Sequence, residues 1–237
     1  MASWYFRVSD IIIKNIDGLE LLQQQTDNSI DLILTDPPYH ISRKTGFKAS
    51  KGEKTIERFK VDYEFGKWDE GQENLLPFVE EFYRVLRPGG TCIIFYDLWK
   101  ITYLQETLNA AKFKQIRFIE WLKTNPVPIN SKINYLTNCR EIALLGVKKG
   151  KPTFHSKYDK GVYEYPIYHG KDRFHPTQKS LKLFEDLVKK HSNENDLVLD
   201  CFLGSATTAL ACKNTNRRFV GAEIDENYYK KSVERLK

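Results

Sequence analysis

Short, almost unbroken apolar runs set the tightest limit on what this chain can fold into. IDLILT (30–35), TCIIFYD (91–97), DLVLDCF (196–202) and RFVGAEI (218–224) lack the in–out alternation of a strand with one wet face. Such strands are buried on both faces, the habit of a parallel sheet covered by helices. Helical spacing fills the intervals. ENLLPFVEEFYRVL (73–86) sets Leu75, Phe78, Val79, Phe82 and Leu86 on one face, and RPGG is expected to stop it. Further helices are expected at DGLELLQQQ (17–25), over 98–111, at SLKLFEDLVKKH, from GSATTALACKN, and at DENYYKKSVERL with Asp225 as its cap. YFRVSDIIIKN (5–15) reads as one strand; QIRFIEWLKT (115–124) and EIALLGVKK (141–149) read as two more. Alternating strands and helices predict an α/β sheet with helices on both faces. Ligands bind such sheets at the carboxyl ends of the strands.

Three of those ends carry unusual chemistry. IDLIL runs into TDPPYH (35–40), where two prolines supply no backbone donor and fix their own φ angles. Read alone, this is either a turn whose Asp bonds its own backbone or a stiff mount for Asp36 and Tyr39. DCFLGSATT (200–208) carries a strand into a helix through Gly204, Ser205 and Ala206, where free N–H groups and the helix dipole suit an anion. Glu223 ends the next strand, about 20 residues on, where an acid accepts both hydroxyls of a ribose. GSA is not GxGxxG, and there is no GK[ST], so NAD and nucleoside triphosphates fit poorly. A ribose-bearing molecule with a carboxylate, S-adenosylmethionine, meets both demands.

The 237 residues suit one domain, expected over 1–237, with a net charge of +6. Basic residues gather at 42–60 and again at 148–179, where they interleave with Tyr158, Tyr163, Tyr165 and Tyr168. That mixture suits phosphates and unstacked bases; two solvated loops of a lysine-rich protein would look the same. No run approaches the ~20 apolar residues of a membrane span, and MASWYFRVSD lacks a signal design. The four cysteines show no CxxC pair, which reads as reduced thiols without a zinc site. A cytoplasmic location is expected. His155, His169 and His191 are expected at the surface, and Trp121 in the packing.

DPPY after an apolar strand, then HPTQKS, then DCFLGSATT, then GAEID, in that order, resembles the β class of DNA amino-methyltransferases. There the catalytic motif precedes the cofactor motif, a circular permutation of the usual methyltransferase order. The resemblance spans about residues 8 to 236, and HISRK and EFGKWDE look like the basic loop and acidic stretch of small adenine-specific members. It implies a Rossmann-like methyltransferase fold with a mostly parallel seven-stranded sheet. Inserted in it would be a basic loop at 42–66 and a short target-recognition region at 123–174. Asp36, Pro37, Pro38 and Tyr39 would form the catalytic motif. Asp36, Asp200, Phe202, Gly204, Ser205, Ala206, Thr207, Thr208 and Glu223 would face S-adenosylmethionine, with His175, Thr177 and Lys179 of HPTQK at its methionyl end.

The implied reaction moves a methyl group to the N6 amine of an adenine flipped out of DNA. Cytosine N4 is the nearest alternative, and a degenerate, non-catalytic module binding DNA or cofactor is the alternative of another class. A homodimer and a cognate restriction enzyme are the further partners implied. One position departs from the family: Ala206 stands where the pattern has glycine. Alanine there either strains a φ > 0 turn, by about 1 kcal/mol or more, or crowds the cofactor, so reduced cofactor affinity is expected.

Overall fold

The computed structural model describes residues 5–8, 10–38, 74–126, 136–170, 173–175 and 177–237. Tyr39 and the whole 42–66 loop lie outside them. The elements run β1 (Tyr5–Val8), β2 (Ile11–Lys14), α1 (Gly18–Gln23), β3 (Ile30–Thr35), α2 (Leu76–Val85) and β4 (Leu86–Tyr96). A 3-10 turn (Leu98–Lys100) leads into α3 (Ile101–Ala110). Then come β5 (Lys114–Lys123), β6 (Arg140–Val147), β7 (Val162–Tyr165), α4 (Leu181–His191), β8 (Leu197–Asp200), α5 (Thr207–Asn214), β9 (Arg218–Ala222) and α6 (Glu226–Leu236).

The strands form one sheet in the order β1-β2-β9-β8-β3-β4-β6-β5-β7. Its middle, β2-β9-β8-β3-β4, is parallel throughout. The apolar runs explain why: along β3 and β4 alternate residues serve opposite faces. Leu32, Leu34, Ile93 and Phe95 pack with Leu183, Phe184, Ala209 and Leu236 of α4, α5 and α6. Ile33, Cys92 and Ile94 pack with Leu21, Leu22, Val79, Phe82 and Leu104 of α1, α2 and α3. Helices thus cover both faces, as the fold class requires.

Several local expectations change. The 5–15 segment is a hairpin rather than one strand: Val8 pairs with Ile11 and Tyr5 with Lys14, antiparallel. The helix before RPGG ends at Val85, as expected, but the strand expected from 91 already starts at Leu86 and takes RPGG in. There the register with β3 slips and Gly89 takes φ +81 with the Lys151 carbonyl where a Cβ would go. The tyrosines of the second basic zone divide. Tyr158 is exposed, whereas Tyr163 is buried on β7, a strand that pairs with β5. The two short edge strands, β1 and β7, take the sheet from the expected seven strands to nine among the described residues. His191 is buried against Phe154 at the end of α4, not at the surface, while Trp121 is packed inside as expected.

What positions the site is the crossover at β3 and β8. These strands are neighbours, yet β3 leads outward to β4 and β8 leads the other way to β9. A crevice opens at the carboxyl ends where the direction of winding reverses.

Candidate active site

Three adjacent parallel strands, β9, β8 and β3, deliver Glu223, the 200–206 turn and Asp36 to the same edge of the sheet. Asp200 sits between them and is fully engaged. Its Oδ1 accepts from Thr35 Oγ1 at 2.6 Å and the Phe202 N–H at 3.0 Å, and its Oδ2 accepts from Thr208 Oγ1 at 2.7 Å. It therefore ties the end of β3 to the start of α5, and burial pushes its carboxyl above the ordinary range.

The turn that follows is built from both sides. The Gly204 N–H donates to Glu223 Oε2 at 2.7 Å, and the Asp225 N–H donates to Glu223 Oε1 at 2.9 Å. Asn15 Nδ2 donates to the Glu223 carbonyl at 2.7 Å, fixing the residue's backbone. Each Glu223 oxygen keeps a lone pair for a further donor. Burial raises this carboxyl to about 7 despite the two N–H bonds. From behind, α6 takes up the turn's carbonyls: Ser232 Oγ donates to Gly204 O at 2.8 Å and an Arg235 Nη1–H to Ser205 O at 2.6 Å. Arg235 also reaches Thr207 Oγ1 at 3.1 Å, and Ser205 Oγ lies 3.0 Å from that same oxygen. Ser205, Thr207 and Thr208 are buried and spend their hydroxyls on partners inside the protein. Ser232 and Arg235 carry no motif signal; only the folded chain brings α6 against this turn.

Ala206 settles which consequence of the missing glycine applies. It caps α5 in the left-handed region, φ +58 and ψ +29, with no side-chain cap bond. Its methyl is fully buried in the apolar cluster shared by α4, α5 and α6. The position strains alanine, while the methyl contributes to packing.

Of the HPTQK residues, His175 comes up against the turn. His175 Cε1 and Nε2 lie 3.6 Å from where a Cβ on Gly204 would stand, and the ring meets Tyr228 edge-on at 4.6 Å. Thr177 Oγ1 and His175 Nδ1 are 3.2 Å apart. Burial, with Lys179 and Arg173 nearby, lowers the His175 imidazole to about 4, so it is neutral at pH 7. Gln178 is only 3% exposed, and among the described residues neither its amide oxygen nor its amide nitrogen has a hydrogen-bond partner.

Asp36 leaves β3 directly after Thr35, followed by buried Pro37 and exposed Pro38. Its Oδ2 is 2.8 Å from Lys179 Nζ, and its Oδ1 is buried without a partner among the described residues. Burial lifts the carboxyl to about 6; Lys179 pulls against that, while Glu141 and Asp200 add to it. Lys179 therefore points at the catalytic motif. Phe202 lies at the rim, part-buried, its ring 4.9 Å from that of Phe78.

Buried polar atoms without partners cost about 1–3 kcal/mol each, and a site tolerates them where a ligand completes them. At this site, among the described residues, the unpartnered atoms are an acceptor at Asp36 and a donor–acceptor pair at Gln178, beside an acid with spare lone pairs at Glu223. An amine, an amino-acid end and a ribose are the complementary groups, so the residues fit S-adenosylmethionine and an aminated base.

A model of a DNA methylase family, the N6/N4 methyltransferases, matches residues 30–234. The chain belongs to that family. The methylase is 28% identical to the type II methyltransferase M2.LlaDCHI of Lactococcus lactis subsp. cremoris, over 100% of this chain and 93% of that protein. It is 31% identical to the type II methyltransferase M.HpaI of Haemophilus parainfluenzae, over 93% of this chain and 72% of that one. Among solved structures, the M1.HpyAVI–SAM complex superposes with a TM-score of 0.70 at 32% identity, over 95% of the methylase and 100% of that chain. The cytosine-N4-specific PvuII methyltransferase shares the fold, with a TM-score of 0.75 at 19% identity. Among the described residues no helix is long and apolar enough to cross a membrane.

Proposed function

We propose that the methylase transfers a methyl group from S-adenosylmethionine to the N6 amine of an adenine turned out of DNA. The observation that carries this reading is Asp36 Oδ1, a buried acceptor without a partner among the described residues, on a proline-stiffened strand end beside the Glu223 crevice. An exocyclic amine is a weak nucleophile because its lone pair is delocalised into the ring. Asp36 Oδ1 accepts one N–H, and the Pro37 carbonyl is proposed as the second acceptor. Two fixed acceptors draw the nitrogen toward tetrahedral geometry and reorganise little at the transition state. When bound, the sulfonium cofactor supplies the methyl group. Glu223 holds its ribose, and Gln178 with the Gly204 turn holds its methionyl end. The amine sheds a proton after transfer, and Asp36, ionised at pH 7, takes it. His175, neutral and turned toward Tyr228, has no part in this. Turning the base out costs roughly a few kcal/mol, and Tyr39 is proposed as the face on which it stacks, worth ~1–3 kcal/mol.

Target recognition is proposed for the 42–66 loop and for 123–174, within the single domain 1–237. As partners we propose DNA, a second copy of the chain, and a restriction enzyme of matching specificity, since the relatives are type II methyltransferases; the setting proposed is the cytoplasm. The test is methyl transfer from labelled S-adenosylmethionine to unmethylated genomic DNA, with mass analysis of the digested nucleosides. N6-methyladenine, absent with Asp36→Ala, is the expected result. N4-methylcytosine would keep the mechanism and change the base. No methylated nucleoside on double- or single-stranded DNA would overturn the reading in favour of a binding module.

A further inference from the structure

We propose that Lys179 and Glu141 are positioning residues for Asp36, members of a row of alternating charges that fixes the aim and the charge state of its carboxylate. The proposal rests on the methyl-transfer reading and adds residues from β5 and β6 to it. The row starts on β5, where Lys123 Nζ lies 2.6 Å from Glu141 Oε1 on β6. Glu141 Oε2 is 2.8 Å from Lys179 Nζ, and Lys179 Nζ is 2.8 Å from Asp36 Oδ2. The order of the sheet makes this possible. β6 runs antiparallel to β4 and β5, so the start of β6 and the end of β5 meet beside the end of β4, at the carboxyl edge of β3.

Lys179 is 6% exposed, too little for water to stand in for its partners, and its ammonium lies 5.7 Å over the Phe95 ring. A buried ammonium persists where carboxylates hold it, and two do so here. Because it occupies Asp36 Oδ2, the atom left for a substrate amine is Oδ1. Glu141 in turn is held: burial pushes its carboxyl up, but Lys179 and Lys123 outweigh that and keep it below its ordinary value. The charges facing Asp36 are thus Lys179 before α4, Glu141 on β6, and Asp200 on β8, the last already bonded to Thr35, Thr208 and the Phe202 N–H.

Two neighbours of opposite sign give opposite consequences. Lys179→Met removes the cation and leaves Asp36 to its burial and to Glu141. Glu141→Gln removes a repelling carboxylate and leaves Lys179 undivided. The test is a carbon-13 carboxyl NMR titration of the cofactor-free protein, with the Asp36 signal assigned by its loss in Asp36→Asn, alongside the pH dependence of kcat. The Asp36 midpoint, near 6 in the native protein, is expected to rise by about one pH unit or more in Lys179→Met and to fall in Glu141→Gln. Lys179→Arg should restore it, and the acid limb of kcat should follow each shift. S-adenosylmethionine affinity should stay within a few-fold in Lys179→Met. Should that variant fail to fold, Glu141→Gln, an isosteric change, carries the test by itself. Midpoints that stay put, or move the same way in both variants, overturn the proposal. So does a Lys179→Met protein whose only defect is cofactor binding. If the native protein transfers no methyl group, the proposed function fails, while the NMR midpoints still decide whether the row of charges governs Asp36.

Discussion

Replacing Asp36 by asparagine should abolish methyl transfer and make the protein more stable. Ordinarily an Asp titrates at 3.8; here burial outweighs the attraction of Lys179 and raises it to about 6. A raised carboxyl means that between those two values the folded state binds more protons than the unfolded one. Stability then falls as pH rises through that window and is lowest above it. At pH 7 the charge costs the fold about 3 kcal/mol, at pH 5 about 1.5 and at pH 4 about 0.5. Asparagine keeps the shape and never ionises, so its advantage should follow that same course. For a chain of this size about 3 kcal/mol corresponds to roughly 6–12 °C in Tm. Urea unfolding of both proteins from pH 4 to pH 8 measures it, with methyl transfer assayed in parallel. An Asp36→Asn protein no more stable than native at pH 7 would refute the reasoning. The Lys179 ion pair would then exceed the burial cost, and the unpartnered Oδ1 would not be a liability kept for function.

Further outcomes concern the cofactor side. Ala206→Gly relieves about 1–2 kcal/mol of left-handed strain but gives up a buried methyl worth ~0.8 kcal/mol and loosens the unfolded chain by ~0.4–1 kcal/mol. Unfolding free energy should stay within about 1 kcal/mol of native and cofactor affinity within about threefold; a tenfold gain by calorimetry would mean that the methyl intrudes on the pocket. Glu223→Gln loses one of two N–H acceptors and should weaken S-adenosylmethionine by tenfold or more, about 1.4 kcal/mol. Because ribose hydroxyls favour the charged form of Glu223, which titrates near 7, native binding should release protons near neutral pH. Titrations in buffers of different ionisation enthalpy would show this. Arg235→Ala leaves the Ser205 carbonyl without its donor and should cost about 1–3 kcal/mol in urea unfolding, with cofactor affinity falling as the turn loosens.

The apolar runs made the parallel sheet and its two helical layers legible, because a strand buried on both faces leaves little choice of environment. The caps were equally readable: Asp17 accepts from the Leu19 and Glu20 N–H groups and Asp225 from those of Asn227 and Tyr228. What misled were positions where a tertiary partner overrides local preference. RPGG rightly ends the helix but reads as a gap before the next strand, yet β4 runs through it because Gly90 O and the Gly89 N–H pair with Lys148 just past β6. Tyr163 reads as a basic-zone aromatic, yet β7 adds to β5 and draws it inward under Lys190, 4.3 Å away. His191 reads as a helix-end histidine at the surface, but Phe154 covers it.

Which residues carry the chemistry was set by the chain itself, since an acid on a proline-stiffened strand end and a glycine turn followed by an acid are properties of short segments. Their division of labour was not. Asp200, Ser205, Thr207 and Thr208 stand in the motif, yet their side chains brace it, because burial obliges every polar group to find a partner and the nearest partners are one another. Glu141, Lys123, Ser232 and Arg235 stand in no motif and reach the site only because β6, β5 and α6 end beside it. Hydrogen bonds and ion pairs act over about 3 Å, so the sheet order and the last helix decided which charges face Asp36 and which carbonyls of the turn are held.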